Sequence, residues 1–507
     1  NSSFSPVIKY PGGQTLEIKF QKAKNEELTA LIDGHFIHSN YAPSKEAQRF
    51  VDNLKLPFLP SWIIILEPAL CYAVDFFKQK FPDIKIAGVR YTSQFSEFDK
   101  KLDLVLNYSA QNFKTLLEKS FNEEELLTAF FVSWPASSQI FPDIEKKIWN
   151  DIKDTLERAK TLLITREYFE KKWLLNSCRF ISSINKIATL KQIIDKDCLI
   201  VSSGPSLKPF INLIKNNRQN FFIICLSSAI SVCLKENIIP DIFMSTDGGY
   251  WAGEHLKRIL QKNSIPLAIP PEAYCSKKIL HSQTILPLIY DDGFSKELTI
   301  ASKIDCLYAV RNGTVSGTAL LFAAKYCKKN IFMCGLDLAP QKGFQHTQPN
   351  ELENNSAVFD NRIQTKEKRL SASGFSSTSL DIYRQWFNSI NLSLQNRKVF
   401  RLIEKSQSKN NLGWIQDITV NEFSFFINET TYSDNAEYFT VSSFQPDKKN
   451  AALLFSNYDS EKLKKQLFPL DYVSLSHNPD NIEIRNKIEK EWQKLRKKSE
   501  GILYGNI

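Results

Sequence analysis

Three short segments carry the residue types from which a site could be built. The first is Ser202-Ser203-Gly204-Pro205-Ser206-Leu207, which closes an apolar run and opens a helical one. A glycine there lets the backbone approach a ligand, and a helix N-terminus offers free N–H groups to an anion. That suits a phosphate or nucleotide, although Gly-Pro-Ser also makes ordinary turns, and the segment is neither a P-loop nor a GxGxxG fingerprint. The second segment is STDGGYWAGEH, Ser245 to His255. Its Asp247 carboxylate can accept hydrogen bonds from a sugar or ribose, or take a proton; read locally, it is first an Asp-Gly turn. The third is NGTVSGTALLFAAKY, Asn312 to Tyr326, where Gly313 and Gly317 flank small hydroxyl residues at a helix start. Beyond it Asp337 directly follows an apolar run, and His346 lies in the next loop. A histidine there is a candidate proton acceptor because it titrates near neutrality.

The elements that must hold these segments follow from hydrophobic periodicity. WIIIL (62–66) and KIAGVRY (85–91) read as strands, with ALCYAVDFFKQKF between them as a helix. A long helix rich in Lys, Glu and Leu is expected from about 143 to 188. From about 197 strand and helix alternate. Cys198 to Val201 is a strand, and Leu207, Phe210, Ile211 and Ile214 then share a helix face. Ser206 fits the N-cap of that helix, and Pro209 is tolerable in its first turn. FFIIC (221–225), DIFMSTDG and IFMC (331–334) supply further strands. This alternation predicts an α/β fold with a central doubly wound, Rossmann-like, mostly parallel sheet. In such sheets ligands bind beyond the carboxyl ends of the strands, and SSGPSL, STDGG and GLDLA are expected at the carboxyl ends of neighbouring strands. The reading divides the chain into an N-terminal α/β domain (1–190), a central nucleotide-binding domain (191–385) and a largely helical C-terminal region (386–507). The last helix, from about 479, shows an apolar stripe of Ile484, Ile488, Trp492 and Leu495.

Composition narrows the function classes. With 507 residues and 43% hydrophobic content the chain can fill more than one core. The net charge of +10 suits anionic substrates such as nucleotide sugars. No Arg-rich stripe, zinc-finger, recognition helix or RNP signature points to nucleic acid. The nine cysteines form no CxxC pair and read as buried apolar residues of a reducing compartment. HExxH, GxSxG and GxxxxGK[ST] are absent, and none of the three segments has a DxD pair to hold a divalent metal. The opening NSSFSPVIKY has no signal-like apolar core, and FLPSWIIILEPALCYAV is broken by Pro60, Glu67 and Pro68. A cytoplasmic protein without stable membrane insertion is therefore expected.

Taken in order, SSGPSL, STDGGYWAGEHL, NGTVSGTALLFAAKY and FMCGLDLA with a downstream His resemble the motility accessory factor (Maf) family of flagellin glycosyltransferases. HFIHSNYAPSKEAQRFV and YFEKKWLLNS are also similar to segments of that family, and the resemblance covers roughly residues 35–400. One departure is the turn after the first N-terminal strand, Gly-rich in the family but LEPALCY here, which puts a ligand role for that turn in doubt. The family's central domain is similar to bacterial sialyltransferases, which implies a CMP-activated nonulosonic acid donor of the pseudaminic or legionaminic acid type and no metal. It also implies flagellin Ser or Thr as acceptor. On this reading Ser203, Gly204, Pro205 and Ser206 line the CMP end, and Asn312, Gly313, Ser316 and Gly317 form the opposing wall. Thr246 and Gly248 flank Asp247 at the substrate, and Asp337 orients. The general base is Asp247, slightly favoured, or His346; His255 is read as structural.

Two other readings stand beside this one. A pterin diphosphokinase family shares the GPSL-type domain, but its TDxDG segment carries a second acidic residue where this chain has TDGG. A non-catalytic flagellin-binding assembly factor is the alternative from another class.

Overall fold

The computed structural model describes residues 7–9, 15–109, 112–338, 346–358, 360–363, 365, 378–390, 392, 394, 397–404, 411–429, 437–457 and 460–505. The chain forms two compact units, one of residues 1–168 with 464–492, the other of 169–463 with 493–507.

The first unit holds two four-stranded sheets. One is an antiparallel meander of β1 (Val7–Lys9), β2 (Thr15–Lys22), β3 (Leu28–Ile32) and β4 (His35–Phe36). The other is parallel, in the order β7 (Leu104–Asn107), β6 (Lys85–Arg90), β5 (Trp62–Leu66), β8 (Phe130–Ser133). WIIIL is buried along its whole length, as a strand of a parallel sheet covered on both faces must be. The glycine-free turn after β5 keeps left-handed backbone at Glu67 (φ 39°), Ala69 (φ 47°) and Cys71 (φ 61°). Each such residue costs about 1–2 kcal/mol. The fully buried Glu67 carboxylate supports the turn by accepting hydrogen bonds from the Ala69 and Tyr91 amides, at 3.1 and 2.6 Å. It also pairs with Arg90 Nη1 at 2.8 Å, and Arg90 Nε reaches Asp99 at 2.7 Å. A buried ion pair thus takes over where glycine would have relieved the backbone.

The second unit is built on an eleven-stranded sheet. Its order is β18 (Gln416–Ile418), β17 (Val399–Leu402), β16 (Ile331–Cys334), β10 (Asp197–Val201), β11 (Phe221–Leu226), β12 (Ile242–Met244), β13 (Leu267–Ile269), β14 (Ile285–Ile289), β9 (Lys186–Leu190), β19 (Phe439–Ser443). The short β15 (Leu307–Tyr308) also pairs with β14. Every pairing is parallel except that of β19 with β9. The protein thus has the expected α/β fold around a doubly wound, mostly parallel sheet. β10, β11 and β16 are fully buried, whereas four of the five residues of the edge strand β19 are exposed.

Two local expectations are corrected. The long helix is Pro142–Ser183, and the residues after it form β9 rather than a continuation. Ser206 is not an N-cap: a 3₁₀ turn over Pro205–Phe210 precedes the α-helix Ile211–Asn216, and Gly204 stands at its start without a side-chain cap. Pro209 has no N–H to give to an α-helical ladder, which accounts for the tighter turn. The sheet of the second unit runs past residue 385. β17, β18 and β19, all beyond 385, complete the sheet, because β16 and β9 would otherwise present open edges.

Candidate functional site

β10 is the strand from which the chain builds outward in both directions. It runs through β11 to β14 on one side, then returns to lay β16 and β17 on the other. The carboxyl ends of β10 and β16 therefore form a topological switch point, the place where open α/β sheets bind ligands. SSGPSL follows β10 and GLDL follows β16, so these two turns flank it directly. STDGG follows β12, on the same edge but separated from β10 by β11.

The first two turns are packed backbone to backbone. Ser202 N donates to Cys334 O at 2.8 Å, and Gly204 N to Gly335 O at 2.9 Å. Gly335 has φ +72°, open to glycine, and a Cβ there would strike the Ser202 carbonyl. A Cβ on Gly204 would lie 2.5 Å from Gly335 O and would collide with the Asp337 carboxylate. Asp337 Oδ2 accepts from the Ser206 amide at 3.0 Å. Burial raises the Asp337 carboxyl above its ordinary range, opposed by the Ser206 bond and by Arg401 on β17. The N–H expected to meet a ligand phosphate at Ser206 is thus already taken by the protein's own carboxylate. Ser203 and Ser206 are buried, which leaves Gly204 and Pro205 as the more accessible part of the turn.

The wall opposite is organised by Asn312. Its Oδ1 accepts from Thr314 N and Oγ1 at 2.9 and 3.1 Å, and Thr314 caps the helix Val315–Tyr326 by accepting from Gly317 N at 2.9 Å. Gly317 has no room for a Cβ against Asn312. Gly313 is exposed, with Tyr383 nearby. Ser316 Oγ lies 3.2 Å from Ser202 Oγ, which ties this wall to the first turn.

Asp247 is exposed and accepts from Gly249 N at 2.8 Å, the Asp-Gly turn read locally. Thr246 hydrogen-bonds the buried Tyr290. Gly248 lies under the Trp173 indole, whose Nε1 would be 2.6 Å from an added Cβ. His346 enters the site because its neighbour is clamped to the first turn: Thr347 N donates to Ser203 O at 2.6 Å, and Thr347 Oγ1 to Gly204 O at 2.8 Å. Its Nδ1 is 2.9 Å from Glu353 Oε1. His255 is buried, and burial followed by the charge of His346 lowers its pKa, while Glu351 and Asp247 oppose this. Both candidate bases therefore lie within electrostatic reach of His255.

Several residues that shape this edge were not found from sequence. Asn176 Nδ2 donates to Gly248 O at 3.2 Å and Glu272 O at 2.9 Å. The Arg311 guanidinium lies between the rings of Trp173 (4.5 Å) and Tyr290 (4.4 Å) and donates to buried Glu272 and to Asp292, both at 3.1 Å. Trp173 and Asn176 fall in YFEKKWLLNS, which carried the only available signal. Arg311 had one in its position directly before Asn312. A cavity of about 530 Å³ lined by Asp241, Pro266 and Tyr438 lies at the amino ends of β12 and β13, the opposite edge of the sheet. Among the described residues no group of three or more His, Cys, Asp or Glu could hold a metal ion. Among the same residues no helix is long and apolar enough to cross a membrane.

The class this architecture defines is a doubly wound α/β protein with its topological switch point between β10 and β16. More particularly, the structure is similar to that of a MAf glycosyltransferase from Magnetospirillum magneticum AMB-1, with a TM-score of 0.50 over 96% of this chain and 90% of that one. At 12% identity this likeness is one of fold. Residues 172–343 match the family model described as 6-hydroxymethylpterin diphosphokinase MptE-like. Two uncharacterised proteins of Treponema pallidum (strain Nichols) are similar in sequence. One is 28% identical over 319 residues, 62% of this chain and 69% of the relative; the other is 26% identical over 117 residues, 22% of this chain and 53% of the relative.

Proposed function

We propose that the protein is a glycosyltransferase that moves a nonulosonic acid of the pseudaminic or legionaminic acid type from a CMP-activated donor to Ser or Thr of flagellin. The observation that carries this reading is the meeting, at one switch-point edge, of a glycine turn, a glycine-bearing helix start, an exposed carboxylate and a loop histidine. The fold it shares with a MAf glycosyltransferase supports the reading. A CMP donor carries one phosphate, so backbone N–H groups and helix dipoles suffice to meet the leaving charge without a metal. The donor carbon passes through an oxocarbenium-like state, and a base takes the proton of the acceptor hydroxyl.

A second reading, phosphoryl transfer of the pterin diphosphokinase kind, is favoured by the family-model match over 172–343. One experiment separates the two. Flagellin is co-expressed with this chain and a nonulosonate pathway and its intact mass is measured; purified components are then assayed with EDTA. Added mass per Ser or Thr, with transfer persisting in EDTA, supports glycosyl transfer. Unmodified flagellin held in a stable complex supports binding alone. Complete loss in EDTA restored by Mg²⁺ favours the phosphoryl reading.

A further inference from the structure

We infer that Glu353 is the positioning residue of His346, holding Nδ1–H inward so that Nε2 faces out as the acceptor of a substrate hydroxyl proton. The inference deepens the transfer reading above and rests on it for the identity of the hydroxyl. Glu353 stands in the first turn of the helix Glu351–Ala357. Its Oε1 accepts from the His346 backbone N–H at 2.9 Å and lies 2.9 Å from Nδ1 of the same residue. Its Oε2 accepts from Gln348 Nε2 at 2.8 Å. An ionised carboxylate has no hydrogen to give, so the hydrogen in the Nδ1 contact belongs to the imidazole. A neutral imidazole protonated at Nδ1 carries its lone pair on Nε2. Three donors on one carboxylate also fix its rotamer.

The surroundings agree with this division of labour. The Glu353 side chain is 11% exposed and the imidazole 38%, so the orienting group is covered and the ring is open. Thr347 pins the loop to Ser203 and Gly204 one residue on. The other carboxylate of that helix turn, Glu351, is engaged elsewhere, by Ser231 Oγ at 2.9 Å and Arg258 Nε at 2.6 Å. Asp247 is held differently, accepting from Gly249 N of its own turn at 2.8 Å.

In the transfer step the acceptor O–H bond breaks and its proton passes to His346 Nε2. The acceptor oxygen bonds to the anomeric carbon, and the bond from that carbon to the CMP phosphate oxygen breaks, its electron pair leaving with CMP. Glu353 stays ionised beside the imidazolium.

The test is the tautomer of His346, read by long-range ¹H–¹⁵N correlation on ¹⁵N-histidine protein and assigned by the signal lost in His346→Ala. Expected is an Nδ1–H tautomer in the wild type. Glu353→Leu should lose that preference, and transfer should fall about 10²-fold with CMP binding retained; Glu353→Gln, which keeps one acceptor oxygen, should fall by about 10-fold. An Nε2–H tautomer in the wild type overturns the assignment. So does a Glu353→Leu protein that transfers at the native rate while His346→Ala does not. The tautomer is measured without turnover, so it decides the role of Glu353 even where glycosyl transfer itself fails.

Discussion

Gly204 and the pair Asp247 and His346 are where single side chains decide the outcome. A methyl group at Gly204 meets the Asp337 carboxylate and Gly335 O at once, so Gly204→Ala must push the two turns apart. CMP affinity should fall at least about 10-fold and stability by ~1–3 kcal/mol, the usual cost of overpacking. Calorimetric titration with CMP, beside a thermal melt, checks both, and native affinity in Gly204→Ala would remove CMP from this turn. For the base, His346→Ala should lower transfer by about 10² or more while CMP still binds. Asp247→Ala should act chiefly on KM, because an exposed carboxylate within an Asx turn is placed to hold a sugar hydroxyl. If Asp247→Ala abolishes transfer and His346→Ala does not, the proton goes to Asp247. Sequence favoured Asp247 slightly because it lies inside a motif. The bond that orients His346 spans seven residues across a loop, and no local pattern announces it.

At the scale of elements, the first unit contains a pH-sensitive joint. His38 is buried against Trp134 and Tyr72, and its Nε2 accepts from Leu70 N at 3.2 Å. Burial pushes its imidazole down to about 3. The unfolded chain takes up that proton near the ordinary value of 6.5, whereas the folded unit resists until about 3. The stability His38 contributes is therefore fully present above about pH 6.5 and is lost progressively as pH falls toward 3, ~5 kcal/mol at most. Thermal melts across that range should show a shallower acid decline for His38→Gln than for the wild type. Equal declines would assign the acid sensitivity to other groups. HFIHSNYAPSKEAQRFV was read as a family-like segment. His38, the second histidine of that segment, binds the turn after β5 through Leu70 N and lies 3.9 Å from Glu46 of the helix Pro43–Asn53, which is a structural task.

Across the whole molecule, the second unit depends on strands that arrive late in the chain. β17 pairs with β16 in register Ile331↔Val399, and its buried Arg401 bonds Asp417 at 2.6 Å while opposing the rise in the Asp337 pKa. A chain ended at residue 385, the expected end of the central domain, leaves β16 and β9 as open edges. It should be recovered mainly as aggregate, with circular dichroism of any soluble fraction showing lost structure. A soluble, cooperatively folded 1–385 protein that binds CMP would show that β17, β18 and β19 are dispensable.

The sequence by itself determined the local elements and the kind of sheet. Fully buried parallel strands read as unbroken apolar runs, as in WIIIL, CLIV, FFIIC and IFMC, and their alternation with amphipathic helices admits few other architectures. It also determined which turns lie at the carboxyl edge of the sheet, because in a parallel sheet the carboxyl end of every strand faces the same way. Tertiary structure alone decided which turns touch. Gly204 against Gly335, Ser202 against Ser316 and Thr347 against Ser203 join residues more than a hundred positions apart, and strand order, which sets such contacts, leaves no trace in local periodicity. It also decided that Asp337 takes the Ser206 amide, that Arg311 lies between two aromatic rings, and that strands beyond 385 complete the sheet. An edge strand such as β19 buries little, so its composition resembles that of a loop until its partner is known.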